Sequence, residues 1–199
     1  MSTGCWARTA TVAASRTLNP CAGVLNGAEP AHSGGRKKIM NITKPNRKKH
    51  SYTQHLNAPP ETVFPLLCPV AELKWAPGWM PEMVFSISGV VEQECVFITP
   101  PEMPSEPHNS IWIVSNYDPS NLSLIMYKVA PEYTISKLEI SLESESENST
   151  SANVSYEITA IGVAGDRFME EFTPEWYKDF MLDWEMALNH YLNTGEKIA

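Results

Sequence analysis

The hydrophobic pattern changes period several times along the chain, and each change marks an element. Residues 1–38 show neither helical nor strand periodicity. Ser51–Asn57 then reads as a short strand, stopped by Pro59-Pro60. Pro60 suits the first turn of a helix. Glu61–Leu67 follows with Val63, Phe64 and Leu67 on one side, and Pro65 and Pro69 keep it short. A second short helix, Val70–Trp75, ends at Pro77-Gly78.

Beyond Trp79 the period becomes two. Phe85 and Ile87 share a face ahead of a Ser88-Gly89 turn. Cys95 and Phe97 oppose Val96 and Ile98, so this strand is expected to be covered on both sides. Ser110–Tyr117 is a further strand, with a turn at Asp118–Asn121. Leu122, Leu124 and Met126 face one way and Ile125, Tyr127 and Val129 the other. Leu138, Ile140 and Leu142 alternate with polar residues, as do Val154, Tyr156, Ile158 and Ala160, the half-wet pattern of antiparallel strands. Short turns between adjacent runs predict an antiparallel meander of six or so strands.

The chain closes on its longest helix, about Gly165 to Asn193, with a kink or restart at Thr173-Pro174. At ~100° per residue, Trp176, Tyr177, Phe180, Met181, Trp184, Ala187, Leu188, Tyr191 and Leu192 fill one apolar arc. Leu182 and Met186 fall outside it. An arc that wide, with five aromatics, suits a helix lying across a curved sheet.

Charge divides the chain. Residues 1–49 hold nine Lys/Arg and one acid, a net of +8; residues 50–199 hold six basic and 22 acidic side chains, a net of −16. The acidic part excludes a nucleic-acid-binding domain, which needs clustered Lys/Arg to neutralise phosphate. No run of about 18 apolar residues exists, so integral membrane association is not expected. Residues 1–49 read as a basic, disordered N-terminal segment, 50–195 as the folded domain and 196–199 as a tail. Three readings stay open for the first segment: an extension upstream of a start at Met40, a disordered tail, or an organellar transit peptide. Four N-x-S/T sequons, at Asn41, Asn121, Asn148 and Asn153, are chance matches without a secretion signal.

Candidate chemistry is sparse. Cys5, Cys21, Cys68 and Cys95 form no CxxC pair, and His32, His50, His55, His108 and His190 are scattered, so no metal site is expected. The thiols suit a reducing, cytoplasmic setting. No GxSxG, HExxH, Walker loop or dinucleotide fingerprint occurs, so no cofactor is expected. The aromatics are more informative. Trp75, Trp79, Trp112, Tyr127, Phe180, Met181 and Trp184 are the candidates to line an apolar cavity or its rim. The Trp75–Trp79 loop brackets Pro77-Gly78 and is expected at one rim; Pro100–Asn109, with four prolines, is expected at the opposing one.

This order of elements resembles the helix-grip fold of the START-like, or SRPBCC, superfamily: α+β, a curved antiparallel sheet of six to seven strands, two short helices after the first strand, wrapped on a long C-terminal helix. The residues that carry the likeness are Asn57–Phe64, Glu72–Trp79 with Ser88-Gly89 and Val96–Thr99, and the Gly165–Phe168 helix start. They look like a branch related to polyketide cyclase/dehydratase and lipid-transport members. The resemblance implies a cavity between sheet and helix that holds a hydrophobic small molecule, without catalysis. One alternative is a cyclase- or dehydratase-like enzyme, with Glu72, Glu82 or His108 as acid or base and Tyr127 as proton donor. Another is a protein-interaction domain of the co-chaperone kind. Fold alone does not choose among these.

Overall fold

The computed structural model describes residues 46–198. The readings of residues 1–45, Met40 as a start and Asn41 as a sequon included, lie outside the described residues.

Seven strands form one antiparallel sheet in the order β1-β7-β6-β5-β4-β3-β2. β1 (Arg47–Leu56) pairs with β7 (Ser149–Ala160), and β7 with β6 (Thr134–Ser146). β5 (Ser123–Ala130), β4 (Ser110–Asp118), β3 (Val96–Thr99) and β2 (Glu82–Phe85) continue as a meander. The first strand therefore begins at Arg47, ahead of the expected Ser51. Arg47 and Lys49 enter the ladder with acidic partners on the sheet, and Lys48 reaches carbonyls at the end of the first C-terminal helix. Arg47 pairs with Glu157 at 2.7 Å and Lys49 with Glu139 at 2.9 Å. Lys48 Nζ donates to the Phe172 carbonyl at 3.2 Å.

Between β1 and β2 the chain makes α1 (Pro60–Val63), a 3-10 turn (Phe64–Leu67) and α2 (Pro69–Glu72). These segments are shorter than the sequence suggested. Pro65 and Pro69 each remove an amide donor and restart the turn. The expected two-sided cover of β3 is only partial: Phe97 and Thr99 are buried, Val96 and Ile98 half-buried. β2 is an edge strand with Val84 and Phe85 exposed.

The expected break at Thr173-Pro174 separates two helices, α3 (Val163–Glu171) and α4 (Pro174–Thr194). The Thr173 hydroxyl accepts from the Trp176 amide at 3.2 Å, an N-cap. Gly195, at φ 74°, closes the other end in the left-handed region. At Gly165 the reason for glycine is space. A Cβ there would lie 1.9 Å from the Tyr133 carbonyl oxygen, so only glycine lets α3 sit on the β5–β6 turn.

The inner sheet face meets α4. Leu124, Met126, Leu138, Ile140, Ala152 and Val154 are buried against Tyr177, Met181, Trp184 and Leu188. Polar side chains fix the helix to the sheet: Gln54 Nε2 donates to the Met181 carbonyl at 3.0 Å, and Tyr177 Oη to the Val154 carbonyl at 2.9 Å. Asn189 both donates to the His55 carbonyl and accepts from the Asn57 amide, each at 2.8 Å. Leu182 and Met186, outside the apolar arc, are exposed.

Candidate functional site

The inner face is not filled evenly. Among the described residues, two chambers lie between the sheet and the C-terminal helices. The larger, about 70 Å³, is walled by Phe168, Phe172, Trp176, Tyr177 and Phe180 on the helix side and by Thr134, Ser136, Tyr156 and Ile158 on the sheet side. The smaller, about 30 Å³, is bounded by Glu72, Trp79, Trp112, Met126, Leu138 and Trp184. Glu102, Tyr156 and Phe180 line both and form the partition between them.

Charge enters through strand alternation and one loop. On β5 the inward positions are Leu124, Met126, Lys128 and Ala130, so Lys128 points where its neighbours in register point. The loop between β3 and β4 brings Glu102 and Glu106 over it. Lys128 Nζ donates to Glu102 Oε2 at 2.7 Å and lies 3.4 Å from Glu106. The Glu106 carboxylate, whose side chain is fully buried, also accepts from the Ser110 hydroxyl and, at 3.0 Å, from the Glu102 amide. Trp112 stacks on the ammonium, 5.6 Å from Nζ to the ring, and donates Nε1–H to Thr99 Oγ1 at 3.1 Å. Glu102 Oε1 is buried and meets no donor.

These surroundings set protonation. Burial disfavours the Lys128 ammonium, but the adjacent Glu102 and Glu106 carboxylates more than offset that and hold its pKa above the usual lysine value. Glu72, the buried last residue of α2, is pushed well above the carboxylate range, first by burial and then by the charge on Glu102. Tyr156 rises well above the usual phenol value for the same reasons in the same order. The chambers thus hold an ammonium, two carboxylates around it, a carboxyl that favours its protonated form and a neutral phenol. This set can orient a polar group and exchange a proton with it.

The expected site residues separate into three groups. Phe180 lines both chambers, and Trp79, Trp112 and Trp184 line the smaller. Trp75 and Met181, both fully buried, belong to the packed core and border neither chamber. Tyr127 is on the outer face, 38% exposed, opposite Ile113 and Lys137, because β5 turns its even positions inward. The Trp75–Trp79 loop meets the smaller chamber through Ala76 and Trp79. Both indoles are inside, held by Nε1–H donation to the Leu66 carbonyl at 2.9 Å and the Pro69 carbonyl at 2.8 Å. The opposing loop reaches the larger chamber through Glu102, Met103 and Glu106.

Of the acid–base candidates, Glu72 is buried at a chamber wall, while Glu82 is exposed on the edge strand and His108 is exposed near Glu132, at 3.8 Å. Lys128, Glu102, Glu106 and Tyr156 were not singled out from the sequence. For Lys128 a signal existed, since the Leu124–Met126 face continues to it with period two. Among the described residues no group of His, Cys, Asp and Glu is placed to hold a metal ion. No described helix is long and apolar enough to cross a membrane.

The arrangement of sheet, short helices and spanning helix is shared with solved structures. Norcoclaurine synthase from Thalictrum flavum, in complex with dopamine and hydroxybenzaldehyde, superimposes with a TM-score of 0.55 at 12% identity, over 80% of this chain and 97% of that one. The Zhui aromatase/cyclase from a Streptomyces species gives 0.54 at 13% identity, over 76% and 99%. The chain has the helix-grip fold. At such identities the likeness concerns the fold and not the chemistry. No family model matches the helix-grip chain, and no curated protein does.

Proposed function

We propose that this helix-grip domain binds a small, largely apolar molecule between the sheet and α4, with its polar end at Lys128 and Glu102. The observation that carries the reading is the larger chamber itself: five aromatic side chains on one wall and one charged cluster at one end. Such a chamber gives dispersion on all sides and orientation at a point. The space is small. An apolar cavity of about 150 Å³ is what one benzene ring needs, so a ligand must displace a partition residue. Phe180 is the candidate, since it borders both chambers and is only half-buried. Lipids, sterols and long polyketides fit this volume poorly; a one-ring compound fits it best. The free, buried thiols of Cys68 and Cys95 favour a reducing, cytoplasmic setting.

Two experiments test the reading. Native mass spectrometry of freshly purified protein should reveal a small co-purifying molecule. Titration with benzyl alcohol should saturate, and Ser136→Leu, which fills the larger chamber from its sheet wall, should abolish that saturation while the protein stays folded. Unchanged binding in Ser136→Leu would move the site elsewhere.

A catalytic reading has its own support in Glu72. A carboxyl held toward its protonated form near an ion-paired carboxylate is the separation that acid–base catalysis uses. Norcoclaurine synthase and the aromatase/cyclase bear enzyme names on the same fold. In this reading Glu72 delivers a proton, and Glu102, which lines both chambers, accepts one. Turnover of a bound carbonyl compound that disappears in Glu72→Gln would establish it. The small chamber volumes favour the third reading, a filled protein-interaction domain. Against it stands the buried cluster, which costs desolvation and gives a binding-only surface nothing.

A further inference from the structure

We infer that the chamber selects ligands carrying a protonated amine or another strong hydrogen-bond donor on an apolar body, and rejects carboxylates of the same shape. This rests on the ligand-binding reading above and gives that ligand its chemical class.

The charges around the larger chamber do not balance. Among the described residues, Lys128 is the one cation of its lining, and it stands between Glu102 at 2.7 Å and Glu106 at 3.4 Å. Its positive charge is thus already committed to two acidic side chains. The hydrogen-bond inventory points the same way. Glu106 is engaged by Lys128, by the Ser110 hydroxyl and by the Glu102 amide. Glu102 has one oxygen on Lys128, while Oε1 is buried with no donor. A buried carboxylate oxygen left without a donor is costly, and a ligand N–H would satisfy it. The surrounding rings add to this preference. Trp176 and Phe180 stack at 5.4 Å with planes 19° apart, and Tyr156 meets Phe180 edge-on at 6.3 Å. Aromatic faces attract cations and offer nothing to an anion. A carboxylate ligand, by contrast, would meet Glu102 and Glu106 with no uncommitted cation among the described lining residues, and like charges in a low-dielectric space repel strongly.

The test is a calorimetric titration of the full chain at neutral pH with three probes of one shape: benzylamine, benzyl alcohol and benzoate. Benzylamine should bind about tenfold more tightly than benzyl alcohol, the effect of one charge-assisted hydrogen bond, and benzoate should bind weakest. Glu102→Gln, which keeps the shape and removes the charge, should erase the amine's advantage. The advantage should persist in about 0.5 M salt, where attraction to the acidic outer surface is screened. If benzyl alcohol binds but benzoate equals or exceeds benzylamine, the donor preference is wrong and the binding reading stands. If the amine's advantage vanishes in salt, or survives in Glu102→Gln, the chamber charge is not its source and the inference falls. If none of the three binds, both the inference and the reading beneath it are overturned.

Discussion

Two proline-marked loops flank the inner face of the sheet, and they behave in opposite ways. Residues 73–80 carry two tryptophans and turn them inward, where each indole N–H bonds a backbone carbonyl of the preceding turns. That loop completes a core: Trp79 packs edge-on against Phe97 and Trp112 at about 6 Å, and Trp75 lies 5.7 Å from Trp184. Residues 100–109 carry no tryptophan and bring in two carboxylates that trap Lys128. Proline and glycine mark where a chain turns. What the turn carries into the interior, an N–H that the backbone can satisfy or a charge that needs a counter-charge, decides whether the region packs as apolar core or holds a charged cluster.

This contrast can be broken by mutation, and the effects should descend in order. Trp75→Ala removes a fully buried ring and a hydrogen bond, and should cost roughly 3–5 kcal/mol, read as a lower urea midpoint. Lys128→Met leaves Glu106 buried beside no cation and should cost toward the lower end of roughly 3–5 kcal/mol; adding Glu106→Gln should restore part of it. Equal stability of Lys128→Met and wild type would mean that the cluster is solvated and the contrast is false. Trp79→Phe keeps most of the packing and loses only the bond to the Pro69 carbonyl, for about 1 kcal/mol. The two loops would be alike if Trp79→Phe changed ligand uptake and left stability untouched.

The smallest expected effect depends on pH. A carboxyl with a raised folded pKa holds its proton more tightly in the folded state. Its contribution is neutral to stability well below the unfolded value of about 4.3 and increasingly destabilising as pH rises toward the folded value. Glu72→Gln removes that decline. Denaturation at about pH 4 and pH 7 should find variant and wild type closest at the lower pH, with the variant gaining at the higher one. A parallel pH dependence in both proteins would show that Glu72 is ionised in water.

Much of the fold is legible in the sequence. Period-two alternation located β4 through β7, and the aromatic arc with Thr173 and Gly195 located α4. These signals are local and survive in any context. The first strand started early because the Arg47 and Lys49 partners, Glu157 and Glu139, lie far along the chain. The site was less legible for the same reason. Lys128 continues an apolar face in register, yet its charge is tolerable only because Glu102 and Glu106 arrive from a loop more than twenty residues away in sequence. Tyr127 and Lys128 are adjacent, and alternation alone does not say which face is concave. In the structure Lys128 shares the buried face with Leu124, Met126 and Ala130, and Tyr127 the outer one.

The central claim is that the interior beneath α4 takes up a small ligand at its charged end. Chemical-shift mapping of benzyl alcohol on the labelled protein tests it most directly. The largest perturbations should fall on Ile158, Tyr156 and Phe180, which border the larger chamber. Perturbations confined to the exposed Ile111 and Ile113 of the outer face, or none at saturating concentration, would contradict it.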